Sequence, residues 1–288
     1  MALVRTGEIV ARAVRSGTAA VAFNVLHLES AEALAAAAEQ TGVPLILSIS
    51  ENCIRYHHGL LPLLRATLAV AAGAEAELSV HLDHITDPAL IRAGVEAGAG
   101  ARPGVSSVMI DASALPWAEN VGVTTDVATW CHRRGVYVEA ELGEVGGKDG
   151  VHAPGARTDP AEALRFVQTT GVDALAVAVG SSHAMTERTI ELDQDLIGRL
   201  HATLPVPLVL HGSSGVPDEE IRRAVAAGMT KINISTHLVS VFTATVREVL
   251  AAQPDLVDSR KYLGPARDAV ADEAARLLRV LTAPVPAR

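Results

Sequence analysis

Three histidines are the side chains of this chain best suited to chemistry: His84 in SVHLDHI, His183 in ALAVAVGSSH and His211 in PLVLHGSSG. Each closes or follows a short apolar run. A single histidine beside such a run is most often a hydrogen-bonded core residue, and His57, His58, His132 and His201 are read that way or as surface residues. Three imidazoles delivered to one place mean something else, because Zn²⁺ favours nitrogen ligands and a catalytic zinc keeps its fourth position open. His81 shares a strand face with Asp83 by alternation and is expected to point inward as a structural partner. Asp111 and Glu141 are candidates to orient ligating imidazoles or to offer a secondary ion position. They read equally well as buried acids paired inside the fold.

The segment HGSSGVPDEE suggests a second chemistry. Gly212 and Gly215 permit close backbone approach, Ser213 and Ser214 add donors, and Pro217 suits the first turn of a helix. Downstream, NISTHL runs an apolar stretch straight into a helix, with Ser235 and Thr236 as candidate caps. Either piece alone is a turn or a cap; together they favour a phosphate site. Lysine supplies an exclusion. Only Lys148, Lys231 and Lys261 occur, none at the end of the sixth apolar run, and Lys231 opens the eighth run, away from the histidines. A Schiff-base mechanism needs a desolvated lysine in the site, so carbonyl activation here falls to a metal.

These residues need a scaffold that brings distant segments together. Eight apolar or β-branched runs read as strands: Ala19–Val25, Pro44–Ser50, Glu77–Asp83, Ser107–Asp111, Val136–Leu142, Ala174–Gly180, Pro207–His211 and Lys231–Ser235. Helical patterns alternate with them, as in Ser30–Gln40, Leu60–Ala72, Pro88–Ala97 and Asp218–Ala227. That rhythm predicts an α/β fold, a (β/α)8 barrel spanning residues 1–288 as one domain with extra terminal helices. A doubly wound open sheet is the competitor, but no GxGxxG follows the first strand. In a barrel, reactive groups gather at the C-terminal strand ends. Here those ends offer Asn24, Ser50–Glu51, Asp83–His84, Asp111, Glu139 with Glu141, His183, His211 and Asn233. Two segments break the rhythm: the Gly-rich loop Leu142–Thr158, long enough to be a lid, and Gly98–Val105, read as a surface insertion. The tail from Pro265 reads as a further amphipathic helix.

Composition narrows the partners. A net charge of −9 argues against an electrostatic nucleic-acid surface. No apolar run approaches the ~18 residues of a membrane span, and the N-terminal MALVRTGEIVARAV has helical periodicity rather than a signal-peptide pattern. Cys53 and Cys131 form no metal or redox motif, so a reduced, cytoplasmic setting is expected.

The runs AFNVLHLES, LSVHLDH, SSVMIDAS, VEAELGEVGG, TGVDALAVAVGSSHAM, PLVLHGSSGVPDE, KINIST and SRKYLGPARDAV resemble the class II, zinc-dependent ketose-bisphosphate aldolases, collinearly over nearly the whole chain. That family includes enzymes for fructose and tagatose 1,6-bisphosphate and a related inositol-pathway aldolase. The resemblance implies zinc on His84, His183 and His211, with a monovalent cation, Na⁺ or K⁺, as a second ion. It implies Asp83 as the acid/base at the cleaved bond. Asn24, Ser50, Ala184, Gly212, Ser213, Ser214 and the run Asn233, Ile234, Ser235 and Thr236 would bind the sugar phosphate, with Arg260 as the candidate for the far phosphate, its own or a neighbouring subunit's. A homodimer or homotetramer would follow. The chain departs from the family at Ile85 and Ala184, where glycine is usual, and at His27, where asparagine is common. It also reads Gly146–Gly147–Lys148–Asp149–Gly150, placing Asp149, one methylene shorter, where the family's loop glutamate is expected as the second acid/base. A specialised aldolase for another sugar phosphate and a non-catalytic regulatory homologue are the alternative readings.

Overall fold

A computed structural model describes residues 3–98, 104–142, 157–182 and 187–284. Eight parallel strands close into a barrel in sequence order. They are β1 (Ala20–Asn24), β2 (Leu45–Ser50), β3 (Leu78–Ile85), β4 (Val105–Ile110), β5 (Tyr137–Leu142), β6 (Ala174–Val177), β7 (Leu208–Leu210) and β8 (Met229–Ile234). Closure comes from β1 pairing with β8, Ala20 opposite Lys231 and Ala22 opposite Asn233. The helices are α1 (Thr6–Ser16), α2 (Leu28–Thr41), α3 (Glu51–Tyr56), α4 (Leu61–Gly73), α5 (Pro88–Ala97), α6 (Trp117–His132), α7 (Pro160–Thr170), α8 (Gln194–Thr203), α9 (Asp218–Ala227), α10 (Thr236–Ala252) and α11 (Arg260–Leu281).

Strand alternation sorts the side chains into two sets. Val21, Phe23, Leu45, Leu47, Ile49, Leu78, Val80 and Leu82 join the apolar shell under the helices. Their neighbours face inward, and on β3, β5 and β8 these are polar: Ser79, His81 and Asp83, then Glu139 and Glu141, then Lys231 and Asn233, all buried. The helix expected at the N-terminus is α1, and it covers the floor of the barrel. Its Ile9, Val10 and Ala13 pack with Ala20, Ala22 and Ile46. Thr6 meets the polar interior, with Oγ1 3.0 Å from Ser79 Oγ and 2.7 Å from Ser107 Oγ.

Local signals set the helix starts. Asp87, Asp159 and Asp193 cap α5, α7 and α8 by accepting backbone N–H groups of the first turn, and Pro88 and Pro160 open two of these helices. Most element boundaries shift by one or two residues from the sequence expectation, and three of the shifts have a local cause. β4 begins at Val105, absorbing the end of the segment read as an insertion. β6 ends at Val177 because Thr158 takes over, its Oγ1 accepting from Ala178 N at 2.8 Å. The last helix begins at Arg260, five residues before Pro265, since the Ser259 carbonyl already accepts from Tyr262 and Leu263.

Candidate active site

The C-terminal strand ends surround a cavity of about 370 Å³ lined by Asn24, Asp83, His84, Asp111, His211 and Asn233, by the turn Gly212–Ser214 with Ser235 and Thr236, and by Ser50, Glu51, Asn52, Arg55 and Thr86. Strict alternation would send His84 outward with Leu82. Instead its φ is +50° and the β3–β4 register shifts between Leu82 and Ile85. The left-handed turn costs a non-glycine residue on the order of 1–2 kcal/mol, and it brings Asp83 and His84, adjacent in sequence, to the same cavity. Ligand atoms of Asp83, His84 and His211 all lie within 4.8 Å of one another.

Each imidazole is fixed from behind. His84 Nδ1 lies 2.9 Å from Asp111 Oδ2, and Asp111 Oδ1 accepts from Ser113 Oγ at 2.7 Å. Nε2 is the His84 ring nitrogen turned away from Asp111. His211 has the opposite arrangement: Nε2 lies 2.8 Å from Glu139 Oε1, and Nδ1, on the other side of the ring, lies 3.5 Å from Asn233 Nδ2. The other oxygen of Glu139 accepts from Lys231 Nζ at 2.7 Å. Burial alone would raise the Glu139 carboxyl, but the Lys231 ammonium and the His211 hydrogen bond outweigh it and hold the group down at about 2. Burial likewise pushes Asp83 upward, and His84, His81 and His211 more than reverse it, leaving the carboxylate well below its ordinary range. Asp83 is therefore ionised near neutrality and able to accept a proton. His81 is depressed by burial and by the Lys231 charge; its Nδ1 sits 2.7 Å from Ser107 Oγ and its Nε2 3.6 Å from Asp83 Oδ1.

A carboxylate–imidazole pair with the opposite ring nitrogen turned to a shared cavity is the usual support of a metal-binding histidine. The residues present fit a divalent ion at Asp83, His84 and His211. A second cluster, His84, Asp111 and Glu141, adjoins it. A third, His81, Asp83 and Glu139, is poorly suited to a cation because Lys231 already occupies Glu139.

The β7–β8 side is built differently. Gly212 adopts φ +67°, and a Cβ there would fall 2.6 Å from the Ser182 carbonyl carbon, so only glycine fits. Ser235 and Thr236 do not cap α10 with their own side chains. Ser214 does so from across the cavity, its Oγ accepting from Ser235 N at 3.3 Å and His237 N at 3.2 Å. Both lone pairs are then engaged, and the one hydroxyl hydrogen remains to donate. Ser213 is less available, since its hydroxyl donates to Leu210 O.

The structure thus gathers Asn24, Ser50, Asp83, His84, Asp111, His211, Gly212, Ser213, Ser214, Asn233, Ser235 and Thr236 around one cavity, with Glu141 joined to them through His84 and Asp111. Ile234 faces the apolar shell, so only its backbone is near. Arg260 is 89% exposed, chelates Asp258 and is not on the cavity wall. His183, Ala184 and Asp149 lie outside the described residues. His27 caps α2, accepting from Ser30 N while Ser30 Oγ accepts from His27 N. Lys231 corrects the sequence expectation: its backbone is distant from the cavity mouth, but its long side chain reaches Glu139 beneath His211. Its two-residue spacing from Asn233 was the available signal. Glu51 stands among the strand-end groups of the sequence; Arg55 carries no comparable signal.

A family model described as fructose-bisphosphate aldolase class-II matches residues 4–284. The fructose-bisphosphate aldolase of Geobacillus stearothermophilus is 39% identical over 274 residues, covering 94% of this chain and 93% of that protein. Among solved structures, the YdjI aldolase from Escherichia coli K12 superposes with a TM-score of 0.85 at 29% identity, with 98% of each chain covered. A putative fructose-1,6-bisphosphate aldolase from Coccidioides immitis gives 0.84 at 26% identity, with 97% of each covered.

Proposed function

The chain belongs to the class II fructose-bisphosphate aldolase family, and we propose that, as one barrel domain over residues 1–288, it cleaves fructose 1,6-bisphosphate reversibly to dihydroxyacetone phosphate and glyceraldehyde 3-phosphate. The observation that carries this reading is the convergence of Asp83, His84 and His211 beside the Gly212–Ser214 and Ser235–Thr236 turns. The divalent metal of the family is assigned here as zinc, held by His84, His183 and His211. Bound there, it supplies Lewis acidity toward the ketone oxygen.

The remaining steps belong to side chains. Ser214 and the backbone around Gly212 and Ser235 hold the phosphate of the ketone half, with Ser213, Asn233, Thr236 and the backbone of Ile234 completing that wall; Ala184 is assigned to the same phosphate by the family resemblance. Asn24 donates to Asp83 Oδ2 at 3.4 Å and keeps the carboxylate turned toward the substrate. Asp83 takes the proton from the C4 hydroxyl as the C3–C4 bond breaks, C4 becoming the aldehyde carbon. The electron pair of that bond passes to C3 and the adjoining carbonyl, and Asp149 returns a proton to C3. Asp111 and Glu139 keep the two described imidazoles in their ligating tautomers, and Glu141 adjoins the first of them as support or as part of a secondary ion position. Lys231 is engaged as an ammonium on Glu139, which leaves it no part in carbonyl addition.

A monovalent cation, Na⁺ or K⁺, a homodimeric or homotetrameric state and a cytoplasmic location belong to the same proposal. Among the described residues, no helix is long and apolar enough to cross a membrane. Cleavage of fructose 1,6-bisphosphate is expected to vanish on chelation and return in proportion to zinc added back. Activity that persists in protein shown to be metal-free would overturn the mechanism.

A further inference from the structure

Resting on the aldolase reading above, we propose that Arg55 is the residue by which this enzyme prefers a phosphorylated aldehyde over an uncharged one. A ketose bisphosphate is anionic at both ends, and the two ends must lie on opposite sides of the bond that breaks. The Gly212–Ser214 and Ser235–Thr236 wall provides for one phosphate. Among the described residues, the cavity wall carries one guanidinium or ammonium group, and it is Arg55. Arg260, expected on the far phosphate of its own or a neighbouring subunit, is held on Asp258 and does not line the cavity of its own chain.

The neighbours of Arg55 hold it in place without using it up. Glu51, one turn earlier on α3, is buried and pairs with Arg55 Nη2. Glu51 is itself tied to the segment after β3, accepting from Thr86 N at 2.5 Å and from Thr86 Oγ1 at 3.0 Å. The Arg55 side chain is 66% exposed. A guanidinium has five N–H donors in a planar fork, so engagement by one carboxylate leaves donors for an incoming phosphate. Two further donors share this wall. Ser50 Oγ accepts from Cys53 N at 3.2 Å, which leaves its hydrogen to donate, and Asn52 also lines the cavity. The wall by α3 therefore offers donors to the far end of the substrate, just as the β7–β8 wall does to the near end.

The test runs the reaction in the condensation direction, with dihydroxyacetone phosphate and either glyceraldehyde 3-phosphate or glyceraldehyde. In Arg55→Ala, kcat/KM for glyceraldehyde 3-phosphate is expected to fall roughly 10- to 100-fold, the range of one hydrogen bond to a charged group. The value for glyceraldehyde is expected to stay within about 2-fold, and Arg55→Lys to recover part of the loss for the phosphorylated aldehyde alone. An equal loss for both aldehydes would make Arg55 a structural prop for α3 and overturn the proposal, as would no loss for either. Wild-type protein that condenses neither aldehyde would instead refute the aldolase reading itself.

Discussion

The two walls of the cavity solve the problem of holding charge in opposite ways. In the charged centre, drawn from the ends of β3, β4, β5 and β7, the functional groups are side chains, and each is supported by another buried side chain: Asp111 behind His84, Glu139 behind His211, and Lys231 of β8 behind Glu139. In the turns after β7 and β8 the wall is close-packed backbone, shaped by a glycine that cannot be replaced and by the Ser214 hydroxyl, which takes up the Ser235 and His237 N–H groups. The first wall places charges that must change partners during a reaction. The second only has to bind a constant anion, for which fixed dipoles suffice. Substitutions should therefore damage turnover on the first wall and affinity on the second.

The largest effect is expected for Asp83→Ala. It removes the base while leaving both described imidazoles with their carboxylate supports, so zinc content should remain near one per chain. Cleavage should fall by roughly 10²–10⁴, the range of a general acid–base group. Zinc lost together with activity would mean that the Asp83 carboxylate serves the metal, and the division between charge-moving and anion-holding walls would need redrawing.

Gly212→Ala probes the other wall and should act on binding. The substitution combines a left-handed φ with a Cβ 2.6 Å from the Ser182 backbone, strain of about 1–3 kcal/mol. Part of it should appear as a lower denaturant midpoint. The rest should appear as a weaker inhibition constant for inorganic phosphate and a higher KM, with kcat changed far less. A kcat loss at unchanged KM would contradict the contrast.

The same contrast explains what the sequence made legible. The eight strands were readable because their outward faces are uniformly apolar, and the strand-end inventory then located His84, His211, Asp83 and Asn233. Alternation could not show why Asp83 and His84 share a cavity, since that depends on one left-handed residue and a register shift. Glu139 is visible at a strand end, but its partner Lys231 lies far from the site by backbone position, and only its side chain spans the interior to reach it. Ser214 as the cap of α10 joins residues 21 and 23 apart through two loops that no local rule connects. Arg260 stands in a motif and Arg55 in none; only the built fold shows that Arg55 lines the cavity and Arg260 does not.

The smallest expected effect concerns the charged bracket behind the β7–β8 wall. His237, whose N–H meets Ser214, also places Nε2 2.6 Å from Glu273 Oε1, and Arg276 bridges Glu273 to Asp218. Arg188 meets the other Asp218 oxygen at 2.6 Å. Burial raises the Asp218 carboxyl, but hydrogen bonds from Arg276 and Arg188 outweigh it and hold the group below its ordinary value; Glu273 is depressed for the same kind of reason. A carboxylate with a lowered folded-state pKa binds fewer protons folded than unfolded, so its contribution is complete above the unfolded value and fades as pH falls toward the folded one. Wild type should therefore lose more thermal stability than Arg276→Met between about pH 5 and about pH 3, and the gap in Tm between them should narrow on acidification. The pairs are partly solvent-exposed, so the gap should be small even at its widest. A gap that stays constant across that range would show that Arg276 supports the wall by packing alone, leaving the backbone wall independent of the charges behind it.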